Sequence, residues 1–148
     1  MNKYLEKAVE WHGSQMYGDK PYRYHLEMVT KTYEGVYGCG SQAACLCAIH
    51  DVKEDCQSLT LEEIRDWLIH QPELDLYDVD FNILPALDAI TKCEGESRSD
   101  YLIRVKGSRL AKQVKIADAM SNLRQNIIDK NLKRAAYYQD TLDKLLEV

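Results

Sequence analysis

The sequence predicts an all-α protein of 148 residues that folds as a single domain spanning 1–148. Apolar residues recur three and four positions apart along most of the chain, and this spacing places them on one face of a helix. The three prolines and seven glycines fall between the periodic segments. No segment of useful length alternates apolar and polar residues, as a half-buried strand would. We therefore expect about seven or eight helices around one core.

The N-terminal segment predicts two helices joined by a turn. The first covers residues 3–16, with Trp11 on its apolar stripe. The sequence Gly-Asp-Lys-Pro at 18–21 is typical of a turn, and a second helix follows over 22–33.

A central helix is predicted over residues 42–55. Three glycines just before it indicate a flexible connection, and Ser41 is a candidate N-cap. The segment is almost wholly apolar until it reaches His50, and a helix that is apolar on all sides belongs at the centre of a fold.

The second half of the chain continues the helical pattern. Thr60, with Glu63 three residues later, is typical of a capping box that opens a short helix. The acidic stretch 71–80 predicts a loop. The remaining helices are predicted over residues 82–92, 100–106, 108–126 and 131–147.

Composition and charge exclude several classes of protein. The net charge of −5 argues against non-specific binding of nucleic acid. The longest uninterrupted apolar run, 43–49, is far too short to span a bilayer. Because no signal-peptide core is present, we expect a cytoplasmic protein that does not associate with membranes. The five cysteines fit neither a disulfide framework nor a common zinc spacing, so we expect them to be small core residues.

One group of ionisable residues lies at the end of the central apolar helix. His50 and Asp51 follow directly on apolar residues, and Glu54 and Asp55 lie one helical turn later. A partly desolvated pair of this kind is costly unless a metal ion or an opposite charge compensates it. The alternative is that the helix simply emerges into water at this point.

A second group lies in the apolar segment around Asp118. A carboxylate among core residues must be paired, hydrogen-bonded or bound to a cation. Asn122 lies one turn later, and Lys115 lies about one turn earlier and offers a purely structural ion pair as the alternative. His25 follows the Pro21 turn, and taken alone it is more typical of a structural residue than of a ligand.

Together, two imidazoles and two carboxylates suit a borderline-to-hard divalent ion such as manganese, iron or zinc. The order His…His-Asp…Asp is the signature of the HD phosphohydrolase superfamily, which this chain resembles. Four segments resemble the motifs of the hydrolase domain of RelA/SpoT enzymes and of the stand-alone small alarmone hydrolases. These are Pro-Tyr-x-x-His at 21–25, His-Asp-x-x-Glu-Asp at 50–55, Ile-Thr-Lys at 90–92 and Val-Lys-Ile-Ala-Asp at 114–118, followed by Asn122. The resemblance covers about residues 5–146.

The resemblance implies an HD-type helical bundle that removes the 3′-pyrophosphate of (p)ppGpp or a related nucleotide. It implies a divalent ion, which we expect to be Mn²⁺, held by His25, His50, Asp51 and Asp118. It also implies that Glu54 and Asp55 orient the attacking water and move its proton.

Further residues are expected to contact a small nucleotide substrate. Asn122 would bind the substrate or position the last metal ligand. Candidate phosphate contacts are Lys20, Lys92 and Lys115, and Tyr17 and Tyr138 would pack against the nucleotide.

Some positions depart from the family pattern. Tyr17 stands where relatives place an arginine against the purine base, Leu26 replaces a proline, and Ala119 and Ser121 replace an arginine and a histidine. Two alternatives therefore stay open. One is an HD hydrolase acting on another phosphorylated nucleotide, such as a 5′-monophosphate. The other is a non-catalytic protein that binds a nucleotide or a partner.

Overall fold

The all-α prediction is confirmed by the computed structural model, which describes residues 2–147. Within that range the protein forms eight α-helices of seven residues or more, one single-turn α-helix, one π-helix and a two-stranded hairpin. The elements are α1 (Lys3–His12), β1 (Met16–Tyr17), β2 (Lys20–Pro21), α2 (Tyr22–Tyr37), α3 (Ser41–Ile49), α4 (Val52–Asp55), α5 (Leu61–Ile69), a π-helix (Asp78–Ile83), α6 (Leu84–Ile90), α7 (Arg98–Lys106), α8 (Arg109–Ile128) and α9 (Leu132–Leu146).

Helices α3 and α8 form the centre of the fold. The side chains from Cys45 to Ile49 in α3 are fully buried, as the apolar sequence of this helix predicts. Helix α8 packs against α2, α3, α6, α7 and α9. The end of α3 and the middle of α8 therefore lie beside the buried core of the protein.

The first helix is shorter than predicted. It ends at His12 because Gly13 adopts a φ of +60°, a left-handed value that favours glycine. The predicted turn is instead a small antiparallel hairpin in which Tyr17 pairs with Lys20. Helix α2 continues four residues beyond the predicted end at 33, so Gly35 lies inside a helix rather than in a flexible connection. Ser41 is the first residue of α3 and Gly40 occupies the N-cap position.

The predicted central helix over 42–55 is interrupted at His50. Helix α3 ends at Ile49, and a separate turn, α4, begins at Val52. Nδ1 of His50 lies 2.8 Å from the carbonyl oxygen of Cys47. In an unbroken helix that carbonyl would accept the backbone N–H of Asp51, so the histidine side chain competes with the helix at the point where it ends.

The acidic segment 71–80 is only partly a loop. Its last residues belong to the π-helix, which runs directly into α6 and buries Val79 and Ile83. The predicted helix over 82–92 accordingly begins earlier and ends at Ile90. The capping box between Thr60 and Glu63 is confirmed.

The cysteines are not uniformly core residues. Cys45 and Cys47 are buried as predicted, whereas Cys39 and Cys93 are exposed, and all five are free thiols. In α8, Met120 is 37% exposed, although its helix neighbours Ala117 and Ala119 are buried. Among residues 2–147, no helix has the length and apolar character needed to cross a membrane.

Candidate metal centre

Four side chains from three parts of the fold meet at one point. His25 comes from the first turn of α2, and His50 and Asp51 occupy the break between α3 and α4. Asp118 comes from the middle of α8. Each residue offers one ligand atom, and the four atoms lie within 4.8 Å of one another. This group can hold a metal ion.

The carboxylate oxygens face the imidazole nitrogens in pairs. Nε2 of His25 lies 3.0 Å from Oδ1 of Asp118, and Nε2 of His50 lies 3.0 Å from Oδ2 of Asp51. The cross-distances are 3.6 Å from His25 to Asp51 and 3.5 Å from His50 to Asp118. Both histidines and Asp118 are nearly inaccessible, while the side chain of Asp51 is 18% exposed. The centre therefore opens to solvent on the Asp51 side.

The hydrogen bond to Cys47 fixes the orientation of the His50 ring. A backbone carbonyl can only accept, so Nδ1 carries a proton and donates it to this oxygen. In a neutral ring Nε2 then presents a lone pair, and it is directed at two carboxylates that also present lone pairs. Nε2 is buried and makes no well-aligned hydrogen bond within residues 2–147. A cation bound between these groups would interact with all of their lone pairs. A metal-binding histidine usually donates its other ring N–H to a carbonyl or carboxylate, as His50 does here.

Without a cation, the positive charge that balances the cluster comes from Lys115 and from protons on the histidines. Burial lowers the pKa of His50, but the carboxylates of Asp51 and Asp118 more than offset it and hold the pKa well above its ordinary value. Burial raises the pKa of Asp118, but Lys115 and the two histidines hold it well below its ordinary value. The opposing directions show that the site favours two negative charges with positive charge between them.

Three neighbours hold the carboxylate ligands in place. The hydroxyl of Tyr22 donates to Oδ2 of Asp51. Lys115 Nζ lies 2.9 Å from Oδ2 of Asp118, and Asn122 Nδ2 donates to Oδ1 of Asp118 at 3.1 Å. The ion pair between Lys115 and Asp118, which the sequence left open as an alternative, is thus present. It leaves Oδ1 of Asp118 directed at the histidines.

Tyr17 lies against the centre rather than standing free. Its ring stacks on His25 with centroids 4.7 Å apart and planes 20° apart. Its hydroxyl donates to Oδ1 of Asn122 at 2.7 Å. One face of Tyr17 is therefore used by a candidate metal ligand, which limits how this ring can contact a substrate.

Glu54 and Asp55 project from α4, directly after the ligand pair. Oε1 of Glu54 accepts the backbone N–H of Lys92 at 2.6 Å. Partial burial raises the pKa of Glu54 above its ordinary value. The hydrogen bond from the backbone N–H of Lys92 acts in the opposite direction and lowers it. Oδ2 of Asp55 accepts a hydrogen bond from Nε2 of Gln15 at 2.9 Å. Both carboxylates are thus anchored from outside their own helix.

Two cavities are lined by residues that contact the candidate ligands, although not by the ligands themselves, and Tyr138 lines both cavities. The larger, of about 330 Å³, is bounded by the hairpin, α8 and α9, and it includes Tyr17, Lys20 and Asn122. The smaller, of about 170 Å³, includes Glu54, Lys92 and Lys115. All the residues that the sequence assigns to substrate therefore line one cavity or the other.

The sequence patterns do not indicate the contacts made by Tyr22, Gln15 and His12. Tyr22 lies within the Pro-Tyr-x-x-His segment, and that position was the available signal for it. The predicted first helix over residues 3–16 includes Gln15, yet α1 ends at His12 and the Gln15 amide contacts α4. That contact depends on tertiary packing and leaves no local pattern.

No family model matches the chain, and no curated protein sequence matches it.

Proposed function

We propose that the protein is a metal-dependent phosphohydrolase of the HD type that removes the 3′-pyrophosphate of (p)ppGpp or a related alarmone nucleotide in the cytoplasm. The observation that carries the proposal is the convergence of His25, His50, Asp51 and Asp118. The adjacent Glu54 and Asp55 add carboxylates suited to general acid–base chemistry.

The donor set fits a divalent cation. Two imidazole nitrogens and two carboxylate oxygens suit manganese, iron or zinc, and we propose Mn²⁺. A bound cation of this kind supplies Lewis-acid chemistry, because it acidifies water and polarises a phosphoryl oxygen. The locked orientation of His50 supports the assignment, since Nδ1 is used by Cys47 and Nε2 faces the carboxylates.

The protein's own residues would perform the remaining steps. Glu54 would accept the proton of the attacking water, because its raised pKa makes it a better base than a fully hydrated carboxylate. Asp55 would hold that water in line with the scissile phosphorus. Lys115 would offset the charge that develops on the transferred group from its place beside Asp118.

The two cavities support a substrate with distinct polar and anionic parts. The larger cavity offers amide groups and tyrosine rings, with Lys20 over the ring of Tyr24 at 5.1 Å. The smaller cavity offers Lys92 and Lys115 for phosphate oxygens. We assign the nucleoside to the larger cavity and phosphate groups to the side of the smaller one, with Tyr138 between them.

Tyr17 favours one alternative specifically. Its ring packs on His25 and is not free to act as the arginine of relatives does. An HD hydrolase with a different nucleotide substrate, such as a 5′-monophosphate, is therefore the second candidate.

A product screen separates the candidates. The purified protein is incubated with Mn²⁺ and with ppGpp, pppGpp, ppApp, dinucleotides or nucleoside monophosphates, and phosphate and pyrophosphate are quantified separately. The proposal expects pyrophosphate release from the 3′-pyrophosphorylated nucleotides. Phosphate release from monophosphates alone would support the second candidate, and no release from any of them would favour a non-catalytic binder.

A further inference from the structure

A chain of hydrogen bonds runs from the end of α1 to Asp55 in α4. Nδ1 of His12 lies 2.8 Å from Oε1 of Gln15, and Nε2 of Gln15 lies 2.9 Å from Oδ2 of Asp55. His12 is the last residue of α1 and is buried, with 8% of its surface exposed. Neither His12 nor Gln15 belongs to the four-residue metal group.

The chemistry of the three side chains determines which group donates and which accepts in each hydrogen bond. An ionised carboxylate only accepts hydrogen bonds, so Asp55 selects the NH₂ end of the Gln15 amide. The carbonyl end of that amide then faces His12, whose Nδ1 must carry a proton to donate to it. Both ends of the Gln15 amide are then used, and the hydrogen bond that it donates holds the carboxylate of Asp55 in place.

The same histidine also supports a metal ligand. The ring of His12 packs on the ring of Tyr22, with centroids 4.4 Å apart. The hydroxyl of Tyr22 donates to Oδ2 of Asp51. His12 is therefore linked to Asp51 through Tyr22 and to Asp55 through Gln15.

We propose that His12 and Gln15 are positioning residues that hold Asp55 in the geometry required for hydrolysis. The inference rests on the proposed function, since it gives Asp55 a task in the reaction. Gln15 acts through Asp55 and contacts no metal ligand directly, so its loss should lower kcat and leave KM and metal binding nearly unchanged. A small displacement of an orienting group costs up to about a hundredfold in rate.

Gln15→Leu tests the hydrogen bond between Gln15 and Asp55. The expected result is a fall in kcat for ppGpp of about ten- to a hundredfold, with wild-type Mn²⁺ content and melting temperature. A crystal structure of the variant should show Asp55 in a changed rotamer. Wild-type kcat, or an unchanged Asp55 rotamer, would overturn the proposal.

Gln139→Leu is the matched control. Gln139 also donates its amide to an aspartate, Asp143, at 3.0 Å, but on the exposed surface of α9. The substitution removes the same kind of hydrogen bond at an exposed pair outside the four-residue metal group, and kcat should stay at the wild-type value. An equal loss in both variants would assign the effect to general destabilisation and overturn the proposal.

A pair of His12 variants tests the other end of the chain. Asparagine can place an amide N–H where Nδ1 of histidine lies, whereas leucine offers no donor. His12→Asn should therefore retain more kcat than His12→Leu, and equal loss in both would contradict the proposed chain.

The failure of this inference is distinguishable from failure of the proposed function. If the wild-type protein cleaves ppGpp but Gln15→Leu matches it, only the positioning role is wrong. If the wild-type protein cleaves no 3′-pyrophosphorylated nucleotide, the assignment of Asp55 to hydrolysis is wrong as well. The rotamer of Asp55 in the Gln15→Leu crystal structure reports on the hydrogen-bond chain in either case.

Discussion

His50 donates its Nδ1 proton to the carbonyl oxygen of Cys47 at 2.8 Å, one turn earlier in α3. This bond occupies a carbonyl at the C-terminal end of the helix and directs Nε2 toward Asp51 and Asp118. The break in the helix and the candidate metal centre are therefore parts of one local arrangement. A continuous helix over 42–55 would carry His50 and Asp51 in different directions.

Asp118→Asn should abolish binding of the cation. The substitution keeps the size of the side chain but removes the negative charge that faces both histidines. For the wild-type protein, Mn²⁺ at a hundred times its Kd should add about 2.7 kcal/mol to the free energy of unfolding. The variant should show no such gain in thermal denaturation and no bound manganese by elemental analysis.

Asp140→Asn is the control for that experiment, because Asp140 is also an ion-paired aspartate but lies on α9 beside Arg98. It should bind manganese as the wild-type protein does. Normal manganese content in Asp118→Asn would show that the four residues do not form the site.

Glu54→Gln should separate catalysis from metal binding. The variant keeps the side-chain shape but removes the base, so turnover of ppGpp should fall by about 10²–10⁴-fold. Manganese content should be unchanged because Glu54 is not one of the four ligands. Glu62→Gln, on the exposed first turn of α5, should retain full activity. Loss of metal in Glu54→Gln would make the assigned role wrong, as would near-normal turnover.

The stability of the metal-free protein should depend on pH on both sides of neutrality. The lowered pKa values of Asp51 and Asp118 contribute stability above about pH 4, and this contribution is lost as pH falls through the lowered values. The raised pKa of His50 contributes stability below about pH 6.5, and this contribution is lost as pH rises through the raised value. Urea unfolding across pH should show both limbs.

Mn²⁺ should abolish the loss of stability at high pH, because the cation requires a neutral His50 and displaces its proton. Manganese affinity should therefore rise with pH, and binding in a weakly buffered solution near pH 7 should release protons. Affinity that is independent of pH between 6 and 8 would contradict the assignment of His50 as a ligand.

Helical periodicity predicted the fold class and most of the helices, because most helices in this protein bury the apolar residues that recur along their sequence. The four candidate ligands were identified from the order of His and Asp residues and the resemblance that it carries. The interruption at His50 was not predictable, since it depends on a side chain competing for a backbone carbonyl. The contact between Gln15 and Asp55 was equally hidden, because it forms only when the end of α1 packs against α4.

Tyr17 predicts weak discrimination between guanine and adenine nucleotides. An arginine on a purine face contributes about 0.5–2 kcal/mol, whereas Tyr17 brings no charge and has its ring against His25. We expect kcat/KM for ppGpp and ppApp to differ by less than a hundredfold. Tyr17→Arg should raise the preference for guanine by up to about thirtyfold. A wild-type preference above a hundredfold would make this prediction wrong.

The most direct test of the account is the product formed from ppGpp by metal-depleted and Mn²⁺-reloaded protein. GDP and pyrophosphate are quantified by anion-exchange chromatography after incubation with wild-type protein and with Asp118→Asn. The account predicts no products after depletion, restored GDP and pyrophosphate after Mn²⁺ is added back, and no restoration in the variant. Full turnover after prolonged chelation, or intact ppGpp in the presence of Mn²⁺ alongside cleaved 5′-monophosphates, would contradict it.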